Sequence, residues 1–127
     1  MRTATAVLTL SFLCAATSVV HTATIPTSIE IRCDRDSTCQ ETFKGYVKKA
    51  VEDSGTHAFV EDEASSTLHI VLVIAKNTEG ATIRGYAVAF VGMQSVDRKV
   101  LRLNNRYCKP DEVEAVVYRE IREFVLK

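Results

Sequence analysis

The thiols are where this chain could do covalent chemistry. Cys108 stands beside Lys109 and just ahead of Pro110, a residue suited to a first helical position, so its thiolate would feel both a cation and the positive end of a helix. Such surroundings lower a thiol's pKa, which gives one reading of the chain: a thiol-dependent enzyme using Cys108 as nucleophile. No base stands near it in sequence, and that favours a buried or intermolecularly paired thiol. Cys33 and Cys39 have five residues between them, not the two of thioredoxin-like exchange sites, and read as structural. Cys33 continues the inward face of a strand and Cys39 opens the inward stripe of a helix, so the intervening turn can join them. The alternative pairs either one with Cys108, which an alternating meander would place at the opposite end of the sheet.

Other chemistry is thinner. His57 and His69 sit in no ligand cluster, and Asp34 with Asp36 imitates the opening of a calcium loop without its glycine or terminal acid. Glu61, Asp62 and Glu63 read as solvated loop. The sequence therefore points to no metal, no cofactor and no catalytic residue, and it holds no nucleophile elbow, phosphate loop or stacking ladder.

The elements that must position these residues follow from periodicity. Ser28 to Cys33 alternates Ile29, Ile31 and Cys33 against Glu30 and Arg32, a strand with one buried face. Asp36, Ser37 and Thr38 offer helix caps, Thr38 and Glu41 having capping-box spacing. Cys39, Phe43, Tyr46, Val47, Ala50 and Val51 then form a helical stripe that Gly55 can terminate. His57 to Val60 is a short strand. From Leu68 to Ala75 both faces are apolar, which marks a central strand. Asn77 to Gly80 reads as a turn, Thr82 to Val91 as the antiparallel return, Gln94 to Arg98 as another turn and Val100 to Asn104 as a strand. A last helix buries Val113, Val116, Val117, Ile121, Phe124 and Val125.

The order β-α-β-β-β-β-α predicts an α+β two-layer sandwich, a mostly antiparallel sheet packed by two helices, with the first strand parallel to a neighbour. Small residues Gly85, Ala87 and Ala89 suit close approach of the helices. That places Tyr86, Val88 and Phe90 on the opposite face with Val71 and Val73, a candidate homodimer or partner surface.

The helix ending near Gly55, the short strand with Val60 and Asp62 and the apolar strand from Leu68 together resemble small α/β modules of bacterial envelope proteins. These are the assembly lipoproteins of the curli-secretion type and the N-terminal domain of the Tol-system translocation protein. The resemblance covers Phe43 to Val73, implies a binding or assembly role and transfers no functional residue.

Residues 1–23 read as a secretory signal peptide: Arg2, an apolar run through Val7, Leu8, Leu10, Phe12 and Leu13, then small residues to Ala23. Leu13 before Cys14 does not fit a lipobox, and no basic stop-transfer cluster follows, so stable membrane insertion after cleavage is not expected. Residues 24–127 form a single domain. The leader carries one base and no acid, so 16 basic against 16 acidic residues becomes 15 against 16, and such near-neutrality gives no case for nucleic acid. No Asn-X-Ser/Thr sequon is present, which suits a bacterial periplasmic protein. The expectation is a small exported, periplasmic or extracellular, non-enzymatic domain acting through a protein partner or as a homodimer. A carrier of a small apolar ligand between sheet and helices is a further alternative.

Overall fold

The computed structural model describes residues 23–127; the leader expected at 1–23 lies, but for Ala23, outside them. The alternating segments become β1 (Ile25–Arg32), β2 (His57–Phe59), β3 (Leu68–Glu79), β4 (Thr82–Gln94) and β5 (Val100–Cys108). The two apolar stripes become α1 (Ser37–Asp53) and α2 (Val113–Glu120), whose last turn widens into a π-helix over Ile121–Val125. A 3-10 turn, Glu63–Ser65, precedes β3. The result is an α+β sandwich in the expected order. Its single sheet runs β2-β1-β3-β4-β5 and is mixed: β1 is parallel to β2 and β3, while β3, β4 and β5 form an antiparallel meander.

Both helices lie on one side of the sheet. Phe43, Val47, Ala50 and Val51 of α1 and Val113, Val117, Ile121 and Val125 at the other helix meet Leu68, Ile70, Leu72 and Ile74 of β3 in one core. Burial of these side chains is the main stabilising force, at about 25 cal/mol per Å² removed from water. Glu120 is buried among them and accepts hydrogen bonds from Asn104 Nδ2 at 2.5 Å and Arg106 Nε at 3.0 Å, which ties α2 to the edge strand.

The ends of elements differ from expectation in instructive ways. Asp36, not Thr38, is the N-cap of α1: its carboxylate accepts from the Cys39 N–H at 3.0 Å and pairs with Lys76 of β3. The Lys76 ammonium, and next the Cys39 N–H, hold that carboxyl below its ordinary range. A charged cap tied to the sheet thus outcompetes the Thr38–Glu41 box. Gly55 ends the helical segment with φ 73°, as its sequence position suggested. Asn77 and Thr78 are not turn residues but continue β3, and only Gly80 and Ala81 are left to connect it to β4, Gly80 taking φ 63°. β5 likewise runs past Asn104 to Cys108, because backbone pairing with β4 holds Asn105 and Arg106 extended.

Cys33 and Cys39 form a disulfide with Cα atoms 6.1 Å apart, and among the described residues Cys108 is free. Closing so short a loop stabilises by about 2–2.5 kcal/mol in the chain-entropy model. Urea unfolding with and without reductant should differ by that amount; equal midpoints would show that the bond contributes nothing. Cys108 does not lie at the far end of the sheet. β1 and β5 both run parallel to β3, so Cys33 and Cys108 finish at the same end. What separates them is three strand spacings, about 14 Å.

Candidate functional site

Strand parity decides what each face carries. Leu68, Ile70, Leu72 and Ile74 point to the helices, which turns Val71, Val73 and Ala75 outward. The register sets Val71 beside Val91, Val73 beside Ala89 and Ala75 beside Ala87, and continues to Leu103, Asn105 and Tyr107 on β5. Among the described residues no helix lies on this face. Val73 is 43% exposed, Leu103 62% and Tyr107 55%. Ala75, Ala87 and Ala89 floor a shallow apolar depression walled by Val73 and Asn105. Above it Tyr107 lies across Gly85, where an added Cβ would come within 2.2 Å of the phenol oxygen, and accepts a hydrogen bond from Asn77 Nδ2 at 2.9 Å. Gly85 therefore seats the ring against the sheet.

The placement expected for β4 is reversed. Val88 and Phe90 belong to the core beneath the helices, at 1% and 0% exposure, and Tyr86 packs edge-on against Phe43 at 5.4 Å. These three are not a surface. Val71 and Val73 do lie opposite the helices, Val71 being itself covered at 4% exposure. The physical reason is volume: Val88 and Phe90 fill the layer beneath the helices, where alanines would leave voids, and the alanines take the face that no described helix covers.

At the β1 corner of the same face a polar network gathers residues from four segments. Ser28 and His69 are in register on β1 and β3, with Ser28 Oγ 2.7 Å from His69 Nδ1. His69 Nε2 lies 3.0 Å from Glu30 Oε1 and 3.7 Å from Glu63 Oε1. Ser66 links Ser28 at 2.7 Å to Ser95 at 2.5 Å. The bond from His69 is the chief reason the Glu30 carboxyl sits below its ordinary range, with Arg32 adding to the effect against the cost of partial burial. This cluster corrects the reading of His69 as isolated and of Glu63 as solvated loop. Its only signal was Ser28 and Glu30 alternating on β1; the parallel register that brings His69 to them is not written locally.

Ser28, His69 and Glu30 stand in the order nucleophile, base, orienter. Ser28 is 1% and His69 3% exposed, so no substrate carbonyl reaches the hydroxyl. Glu30, Glu63 and His69 also bring three potential metal ligands within 4.8 Å of one another. Both carboxylates already hold a guanidinium, Arg32 on Glu30 at 2.6 Å and Arg98 on Glu63 at 2.7 Å. The network is a set of hydrogen bonds and Arg–Glu ion pairs that fastens the 3-10 turn to the sheet.

Cys108 is fully buried, and its burial, with Glu112 adding to it, pushes the thiol's pKa up. That is the opposite of what a nucleophile requires. Alkylation of native Cys108 at pH 8 should be slow and proceed at the unfolding rate; stoichiometric labelling within minutes, with the fold intact, would restore the enzyme reading. For a carrier, the space between sheet and helices is filled by Phe43, Ile70, Leu72, Phe90 and Val117. An open cleft of about 320 Å³ lies at the end of the sheet away from Cys108, lined by Ile25, Leu68, Leu101, Val125 and Leu126 among others.

No family model matches the chain, and no curated protein matches its sequence. Solved structures do share its fold. PelC from Paraburkholderia phytofirmans, in the L103M form described as a dodecamer, superposes with a TM-score of 0.59 over 83% of this chain and 90% of its own, at 6% identity. Protein XCC0632 from Xanthomonas campestris gives 0.53 over 81% of this chain and 79% of its own, at 11% identity. TolB from Acinetobacter baumannii gives 0.53 over 80% of this chain, at 10% identity, but only 27% of TolB is covered. The chain thus has the fold of a small α+β module found both alone and as part of a larger protein. At these identities the likeness extends to fold and no further.

Proposed function

We infer that this chain is an exported, non-enzymatic domain that acts by binding protein through the uncovered face of its sheet. The observation that carries the reading is the patch around Val73, Leu103 and Tyr107, large apolar side chains left in water over a floor of alanines. The largest contiguous apolar patch on a domain surface is often its contact surface. Parallel strands also rarely leave one face bare, and β3, which pairs parallel with β1, is apolar on both. The disulfide fits an oxidising compartment, periplasmic or extracellular. The assembly of PelC into dodecamers supports an assembly role for a module of this fold. Among the described residues no helix is long and apolar enough to cross a membrane.

The test is photocrosslinking in the cell that makes the protein. A crosslinking residue at position 103, on the open face, should yield defined protein adducts, whereas one at position 49, on the outer side of α1, should yield none. Equal labelling from both positions, or none from 103, would overturn the reading.

A further inference from the structure

The open face has a shape of its own. On β5 Leu103 rises from the sheet as a ridge, 62% exposed. On β3 and β4, Ala75, Ala87 and Ala89 leave a depression whose lining is almost wholly apolar. A ridge and a trough of matching chemistry on one surface are what a two-fold contact requires, because each copy offers both halves of the fit. We propose that the face pairs with the same face of a second copy, Leu103 of one copy seated on Ala87 of the other. This rests on the binding reading above and names its partner.

The geometry permits it. Leu103 pairs with Val91 and Ala87 with Tyr107, so the two positions are one strand and four residues apart. At about 4.8 Å per strand and about 3.3 Å per residue the line joining them is inclined about 20° to the strands. The two-fold axis that exchanges them crosses the two sets of strands at about 40°, near the ~30° of aligned sheet packings. Pairing through the free edge of β5 is the other way for two copies to meet. Centred on Asn104, it would set Arg102 of one copy against Arg106 of the other, and like charges opposed across a ladder are unfavourable. The register shift between Gly92 and Met93 further bends that edge. The apolar patch from β3 to β5 and from Val100 to Tyr107 has a footprint of about 350 Å² at ordinary strand dimensions. That is under half of the ~800 Å² per partner of a standard interface, so the pairing is weak and concentration-dependent.

Sedimentation of the full chain, expressed with its leader and purified after export, tests this at protein concentrations up to about 1 mM, where weak association becomes visible. The wild type should pass from monomer to dimer. Leu103→Asp and Ala87→Lys should each weaken dimerisation at least about tenfold, a loss of 1.4 kcal/mol or more. An equimolar mixture of the two variants should dimerise again, through one new ion pair and one native contact. Leu103→Ser, milder at so exposed a position, replaces Leu103→Asp if the latter melts early. A wild type that stays monomeric, variants that associate as well as it does, or a mixture that fails to recover would each overturn the proposal. If position 103 crosslinks to a different protein while the chain stays monomeric, the second copy is wrong and the binding reading stands.

Discussion

Val88→Asp should remove most of the fold's stability, while Val73→Asp, on the same sheet and equally apolar in sequence, should leave it nearly unchanged. Val88 is 1% exposed and lies in the core beneath the helices. A carboxylate there has no partner, and whether it stays charged or takes up a proton, the cost is at least about 4 kcal/mol. Total stabilities of small domains are only about 5–15 kcal/mol. Val73 points to the open face at 43% exposure, where the substitution should cost at most about 1 kcal/mol, largely in β propensity. Soluble yield and a circular dichroism melt decide it. A Val88→Asp melt as high as the wild type's, or an unfolded Val73→Asp, would mean that the two faces have been exchanged.

Phe90→Ala is expected to be the costliest of the simple truncations. Phe90 is fully buried and pairs with Leu72 at the centre of the sheet. Removing its ring takes away transfer energy and leaves a cavity that β-strand neighbours cannot close, together about 3–5 kcal/mol. The urea midpoint should fall accordingly with an unchanged slope, since the surface exposed on unfolding hardly alters. A loss under about 1 kcal/mol would place the ring outside the core.

How far the sequence was legible differs by level. Helical stripes were readable because the 3.6-residue period of Phe43, Val47, Ala50 and Val51 has a single geometric solution. The Cys33–Cys39 pairing was readable because a strand end and a helix start are joined by a turn too short to separate them. The outer ends of β3 and β5 were not, because Asn77 and Thr78 have turn-like chemistry, Asn105 and Arg106 are polar, and all four are held extended by partners distant in the chain. The Ser28–His69–Glu30 network was invisible for the same reason, its members being 39 to 41 residues apart.

By itself, then, the chain determined its elements, their order, the buried side of each helix and the local disulfide, all of which depend on neighbours within a few residues. Only the tertiary structure decided which face of β4 the helices cover. Period-two alternation specifies two faces but not their assignment, and Tyr86, Val88 and Phe90 are as regular a stripe as Ala87 and Ala89. The choice is made by core packing: Val88 and Phe90 fill the layer beneath α1 and α2, where alanines would leave voids. That packing difference, summed across the two layers, turns the apolar trough outward and leaves it open to a partner.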